Sequence, residues 1–294
     1  KELIKKNNIL YAPSGSQVEW VEEESYFFKL SEWSDKLLEY YLQHPNFIAP
    51  KTRYNEVVSF VKSGLRDLSI SRTTFNWGIS VPNNDKHIIY VWLDALQNYL
   101  SALEFPDTKS KLYKDYWPGV HIVGKDILRF HSVYWPAFLM AANLPLPKRI
   151  YSHGWWTNEG EKISKSVGNV IDPFELINEF GLDELRFFLF RHVPFGEDGD
   201  FSRNAIISRI NSDLANDYGN LVQRVCSFIY NNCNGLVKNN FDLNDEDKKI
   251  FNECNVIFGN YKRNMDNDLI DKAIKNAFEV ISLANKYVDK QAPW

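Results

Sequence analysis

The feature that most restricts the fold is a change of hydrophobic period along the chain. Between residues 76 and 155, short apolar runs alternate with helix-period stretches. Ile88-Ile89-Tyr90-Val91-Trp92 is continuous and apolar, the form of a strand buried on both faces. Val120-His121-Ile122-Val123 repeats the signal and runs at once into Gly124-Lys125-Asp126 and a helical pattern through Met140; Arg149-Ile150-Tyr151 opens a third strand. Strands separated by helices of this length predict an α/β fold with a parallel, doubly wound sheet. From 206 to 294 the period is helical. Ile206, Ile210, Leu214, Leu221, Val225 and Phe228 line one stretch, and Leu269, Ala273, Phe278, Ile281, Ala284 and Val288 another, which predicts an α-helical bundle.

The remaining signals divide the chain into four regions: 1–75, 76–155, 156–205 and 206–294. In the first, Ser34 is placed to cap a helix over 35–43, and a second helix over 55–64 ends at Gly64. In the third, Asp172 as N-cap, Pro173 in the first turn, Glu175 completing a capping box and Gly181 as the stop predict one well-signed helix. A length of 294 residues exceeds what one core organises, and 44% apolar with 24% charged residues excludes a disordered or collagen-like chain. No run of about 18 apolar residues exists to span a membrane. The opening Lys-Glu-Leu-Ile-Lys-Lys has no apolar block behind it, so no signal peptide is expected. Three cysteines, none in a C-x-x-C pair, fit a reducing, cytoplasmic compartment and no zinc knuckle. The net charge of −4 excludes a strongly basic nucleic-acid binder but leaves room for a local patch. A first residue other than Met, and a helix-period pattern running to Trp294 without a capping signal, predict a piece of a longer protein.

The chemistry concentrates in Gly160-Glu161-Lys162-Ile163-Ser164-Lys165-Ser166-Val167-Gly168-Asn169. Two lysines three apart, with interleaved serines and flanking glycines, make a cationic, hydrogen-bond-rich loop. Such a loop can fold over a polyphosphate and offset charge that builds on its oxygens. On spacing alone, the same string also fits a solvated surface loop. It resembles the K-M-S-K-S loop of class I aminoacyl-tRNA synthetases, with Ile163 for Met, a similar-volume apolar exchange. That resemblance implies an ATP-binding loop in which Lys165 is the main phosphate contact and Lys162 a supporting one, with Ser164 and Ser166 beside them.

More specific matches precede the loop: Tyr90-Val91-Trp92-Leu93-Asp94-Ala95, then Gly124-Lys125-Asp126-Ile127, Phe130-His131-Ser132, Trp135-Pro136-Ala137 and His153-Gly154-Trp155. In order and spacing this series resembles the methionyl-tRNA synthetases over nearly the whole chain. From the residues themselves, Ile127, His131 and Trp135 fall at i, i+4 and i+8 on one helical face. Trp92, Ala95 and Tyr99 could form a second wall from the neighbouring strand end. Sulfur on an aromatic edge gains roughly 0.3–1.5 kcal/mol, so a wall of this kind suits a thioether, although the same stripe also fits ordinary core. The resemblance implies that these six residues bind methionine, with Arg72 near the substrate; Arg72 also fits an ordinary ion-paired arginine. Gly124 and Asp126 follow a strand at a helix start, where ribose or phosphate is commonly held, and are expected to contact ATP. Asp126 also fits a simple cap.

At the far end, Asn220 and Arg224 lie at i, i+4, and Trp294 follows Gln291-Ala292-Pro293. An amide, a guanidinium and an indole can pair with and stack on unstacked bases. The resemblance implies an anticodon reader; the bland alternative is a polar helix surface and a core tryptophan.

The H-I-G-H motif of class I synthetases has no counterpart among the six scattered histidines. The resemblance therefore predicts the second half of a Rossmann-like, nucleotide-binding catalytic domain (76–155), preceded by the tail of a connective insert (1–75). A lysine-loop, stem-contact region (156–205) and a helical anticodon-binding domain (206–294) would follow. It implies ATP-dependent ligation of methionine to tRNA(Met) through methionyl-adenylate, with ATP and Mg2+ but no identifiable Mg2+ ligands, no metal site, no zinc site in this stretch, no membrane and a monomer. Two other readings remain open: a class I synthetase for Leu, Ile or Val, and a non-catalytic tRNA-binding fragment.

Overall fold

The computed structural model describes residues 4–6, 9–11, 17–18, 22–163, 168–237 and 242–294. Its contacts divide the chain into two compact units, Lys1–Tyr151 and Ser152–Trp294.

In the first unit, the strands Val120–Gly124, Arg149–His153 and Ile48–Ala49 form one sheet in that order, and Ile150 and Tyr151 pair in parallel with Ile48 and Ala49. Along Val120–Gly124 burial alternates, with His121 and Val123 inward, the period of a half-buried strand. The helices Ser34–Gln43 and Lys51–Lys62 pack against this sheet through Leu37, Tyr41, Val57 and Val61, in one core with Ile48, Val123 and Ile150. Two boundaries differ from the sequence expectation. Ser34 lies inside its helix, because a 3-10 turn over Leu30–Trp33 leads straight into it, and its hydroxyl bonds the Ser31 carbonyl. The next helix starts at Lys51 rather than 55, after extended Pro50, a residue that needs no hydrogen-bonded N–H there.

The apolar run 88–92 is not one strand. The strand Asn84–Ile89 ends there and pairs antiparallel with Ser71–Arg72 and Ser80–Val81. Tyr90 is an extended pivot, and the helix Val91–Ser101 follows. The 3.6 period wins beyond the pivot because Leu96 and Leu100, one turn apart, are both buried in a core with Trp117, Trp135 and Phe138. After Gly124 comes a 3-10 turn over Lys125–Ile127, a π-helical turn over Phe130–Tyr134 and the α-helix Trp135–Ala141. Pro136 has no N–H to give the Ser132 carbonyl one turn back, and the buried Tyr41 hydroxyl supplies that bond instead.

The second unit begins with Trp156–Asn158, paired antiparallel with Glu161–Lys162 and parallel with Gly199–Phe201. Leu176, Leu185, Phe188, Phe201 and Ile206 form its core. Asp172 caps the helix Pro173–Phe180 through the Phe174 N–H, and Gly181 closes it at φ +98°; the reciprocal pair with Glu175 is not made. Then come Leu182–His192, Arg203–Arg209 continuing as a π-helix over Ile210–Gly219, and the helices Asn220–Asn232, Asp245–Asp266 and Ile270–Gln291. Among the described residues, no helix is long and apolar enough to cross a membrane.

Candidate functional site

The helix Val91–Ser101 puts Trp92, Ala95 and Tyr99 at i, i+3 and i+7, so the expected wall belongs to a helix and not to a strand end. Trp92 and Tyr99 are half-buried and Ala95 is exposed. Trp92 stacks on Phe130 with ring centroids 3.7 Å apart and planes 17° from parallel. Of the residues expected opposite, His131 sits in the π turn and Trp135 starts the α-helix, while Ile127 ends the 3-10 turn, lends the group its carbonyl and packs with the core of Val123 and Leu128.

One hydrogen-bond chain fixes the chemistry of this group. His131 Nδ1 lies 2.9 Å from the Ile127 carbonyl oxygen, which can only accept, so Nδ1 carries the proton. Nε2 of the neutral ring is then an acceptor, and the Tyr99 hydroxyl donates to it at 2.8 Å. Burial holds the His131 imidazole below the usual histidine value, against the opposing pull of that carbonyl. The ring of His121 lies 4.1 Å from that of Tyr99 and 6.0 Å from that of His131. Burial, with His131 beside it, pushes His121 down to about 4, and burial raises the Tyr99 phenol above its ordinary range. Near neutral pH the group is therefore uncharged, aromatic and tautomer-locked, a wall for an apolar or thioether side chain rather than an acid–base centre. Trp135 completes it at 2% exposure, with Tyr99 at 6.4 Å and Trp117 at 6.3 Å between ring centroids. Tyr99, Trp117 and His121 also line a cavity of about 290 Å³. His121 and Trp117 were missed in the sequence; the alternation along 120–124, which turns His121 inward, is the signal that could have found the first.

The structure does not bring Arg72 into that group. Its guanidinium lies 4.3 Å over the Tyr90 ring, donates to Ser69 Oγ at 2.6 Å and stands 3.9 Å from Glu23. Glu23 in turn accepts the backbone N–H groups of Thr73 and Thr74, chiefly the former, which keeps its carboxyl below the usual range. Gly124 occupies the capping position before the 3-10 turn, so Asp126 sits within the turn and not at its cap.

In the second unit, Lys162 is exposed at the end of a short strand in register with Thr157. Its ammonium lies 5.2 Å over the Trp155 ring. Asn169 donates to the Lys162 carbonyl at 3.1 Å, and Asn158 donates to the Asn169 carbonyl at 3.1 Å, so the two ends of the lysine loop are joined. Asp200 accepts from the Gly160 N–H at 2.8 Å and from the Thr157 hydroxyl, which keeps its carboxyl below the usual range and braces the hairpin from the third strand. Ser164, Lys165 and Ser166 lie outside the described residues. Among the described residues, no group of three His, Cys, Asp or Glu side chains could hold a metal ion.

At the end of the chain, Arg224 lies 5.5 Å from the centroid of the Trp294 ring and is ion-paired with Asp289. Trp294 is 70% exposed. Asn220 is exposed on the first turn of the same helix as Arg224.

A family model described as tRNA synthetases class I (M) matches residues 3–226. The chain is 55% identical over 292 residues to the methionine–tRNA ligase of Brucella suis biovar 1, covering 99% of this chain and 56% of that protein. It is 56% identical over 293 residues to that of Rickettsia conorii, covering 96% of this chain and 56% of that protein. A structure of Mycobacterium tuberculosis methionyl-tRNA synthetase in complex with methionyl-adenylate superimposes with a TM-score of 0.92 at 48% identity, covering 100% of this chain and 58% of that one. The chain thus spans about half the length of the curated relatives it matches.

Proposed function

The chain belongs to the methionyl-tRNA synthetases of class I, and from that premise we propose that it carries part of the machinery attaching methionine to tRNA(Met) at the expense of ATP. The methionine carboxylate attacks the α-phosphate of ATP, giving methionyl-adenylate and releasing pyrophosphate. A terminal ribose hydroxyl of the tRNA then attacks the acyl carbon and AMP leaves. No covalent enzyme intermediate is needed; positioning and charge stabilisation supply the rate.

In this reading Trp92, Ala95, Tyr99, Ile127, His131 and Trp135 receive the methionine side chain. Gly124, Asp126, Ser164 and Ser166 lie along ATP, and Arg72 acts near the substrate from its own anchored position. Lys162 and Lys165 offset the charge developing on the phosphates. Asn220, Arg224 and Trp294 read the anticodon. The four regions 1–75, 76–155, 156–205 and 206–294 take the roles of insert tail, second half of the catalytic domain, lysine-loop region and anticodon-binding domain. ATP brings Mg2+ to such reactions. The described residues offer it no ligand cluster, so no step is assigned to protein-bound metal.

The observation that carries the reading is the tautomer-locked Tyr99–His131 pair beside buried Trp135. It lies in a chain that matches, along its whole length, a relative solved with methionyl-adenylate. The test is methionine-dependent ATP–pyrophosphate exchange by the intact enzyme carrying this chain. Lys165→Ala is expected to lower kcat for exchange about 100-fold while changing the KM for methionine far less, because the cation acts on charge present in the transition state. An increase in KM with kcat unchanged overturns the role of Lys165. Exchange driven by leucine, isoleucine or valine, or tRNA binding without exchange, overturns the reading itself.

A further inference from the structure

The lysine loop is held at its base by contacts that its own motif does not contain. Asn158 and Asn169 close the neck and fix the Lys162 backbone. The Lys162 ammonium, at the end of a four-carbon stem, would otherwise roam solvent; instead it lies 5.2 Å over the Trp155 ring. Trp155 is itself anchored through its backbone, whose N–H donates to the Asp198 carboxylate at 2.8 Å. The preceding Gly154 has no room for a side chain, since an added Cβ would stand 2.2 Å from the Glu197 carbonyl oxygen. Trp155 is 43% exposed, so it stands partly at the surface.

We propose that Trp155 is a positioning residue, a shelf that holds the Lys162 ammonium over the mouth of the loop and presents it to a polyphosphate. The inference rests on the phosphate role assigned to Lys162 above. An ammonium resting on a ring face uses one hemisphere for the cation–π contact and keeps the other for anionic oxygens. The shelf therefore need not be vacated when phosphate arrives. Its contribution is preorganisation: a free lysine loses considerable rotamer freedom when immobilised, and a lysine already leaning on a ring loses less.

The test uses the protein labelled with 13C at the lysine ε-carbon, the Lys162 signal being assigned by its loss in Lys162→Arg, with inorganic pyrophosphate as the probe. The Lys162 ε-protons are expected upfield of the other lysines through the Trp155 ring current. On saturation with pyrophosphate they should shift further yet remain upfield. Trp155→Leu should abolish the upfield displacement and raise both the Kd for pyrophosphate and the KM for ATP in exchange about threefold, with the KM for methionine unchanged. Trp155→Phe retains a ring and should restore most of both effects, which separates the shelf from a structural loss; a thermal melt on each variant checks folding. Three results overturn the shelf: Lys162 ε-protons at the ordinary lysine position, an upfield shift that vanishes on pyrophosphate binding, or Trp155→Leu with unaltered affinity. Pyrophosphate that binds while the Lys162 signal stays unmoved refutes the underlying phosphate role instead.

Discussion

The group around Tyr99 in the first unit and the group around Trp294 in the second use the same kinds of side chain in opposite ways. Around Tyr99, the aromatic rings interlock. His131 and Trp135 are buried, each ring touches at least one other, and the polar atoms of Tyr99 and His131 are bonded to each other and to the Ile127 carbonyl. Around Trp294, the ring is 70% exposed and faces one guanidinium, which is shared with Asp289. The difference matches the size of what each is proposed to recognise. A small side chain must be enclosed, so its walls have to exist before it arrives, and they are made from the core of the fold. A splayed base is part of a large molecule with its own stacking surface, so its reader stands at the surface and contributes little to folding.

The largest expected effect breaks that contrast most directly. Trp135→Ala should destabilise the first unit by about 3–5 kcal/mol, the cost of deleting a fully enclosed ring, whereas Trp294→Ala should change stability by less than about 0.5 kcal/mol. Hydrogen exchange read separately over residues 91–141 and 245–291 measures both. A large loss of protection in 245–291 with Trp294→Ala would make that ring part of the fold and remove the contrast.

The Tyr99 group should also be more acid-sensitive than the helices after residue 206. The described helical region after residue 206 contains no histidine, since the six stand at 44, 87, 121, 131, 153 and 192. Burial lowers His121 and His131 below their unfolded value, so the unfolded chain binds more protons than the folded one once pH drops below about 6.5. Stability is full above that value and is lost as pH falls towards the folded pKa. For His121, a fall from 6.5 to about 4 corresponds to roughly 3 kcal/mol when the unfolded chain is protonated and the folded ring is not. Protection over 91–141 is expected to drop between pH 7 and pH 4.5 and protection over 245–291 to hold, with His121→Phe flattening the first slope. Parallel loss in both segments would locate the acid sensitivity elsewhere.

Which parts of this were legible in the sequence follows from the range of the interactions involved. The strand at 120–124 and the cap at Asp172 show themselves locally, through alternation and through a side chain two residues from its N–H. The run 88–92 was misleading because continuous apolar residues satisfy both periods; burial of Leu96 and Leu100 against Trp117 and Trp135 decides for helix after Tyr90. The π turn before Pro136 is stabilised by a hydroxyl 91 residues away from Ser132, and no local pattern contains Tyr41. Of the candidate site, the sequence offers His131 and Trp135 in a stripe with Ile127, and Tyr99 in a second wall with Trp92 and Ala95, both through family resemblance. Trp155, Asn158 and Asn169 were not assigned, because their partners are set by hairpin pairing rather than by helical spacing. The exposure of Trp294 was invisible, since an indole at the end of an apolar stripe reads identically in a core and on a surface.

The smallest expected effect sharpens the comparison where the exposed group is most ambiguous. Arg224 is expected to pair with a base, yet in the free protein it is bound to Asp289, 65 residues away. With the two side chains 37% and 63% exposed, this pair should be worth less than about 1 kcal/mol, so Asp289→Asn should leave the melting midpoint nearly unchanged. Its effect on RNA has a definite sign if Arg224 is a reader. The carboxylate competes for the guanidinium and repels phosphates, so its removal should tighten binding of the anticodon stem-loop of tRNA(Met) about two- to fivefold at low salt, and less as salt screens the charge. Fluorescence anisotropy with a labelled stem-loop gives the number, and Arg224→Ala in the same assay should abolish the gain. The opposite result is equally informative. If Asp289→Asn weakens binding, the carboxylate orients the guanidinium towards the base. The surface group would then share the preorganisation of the buried one, and exposure alone would cease to distinguish the two.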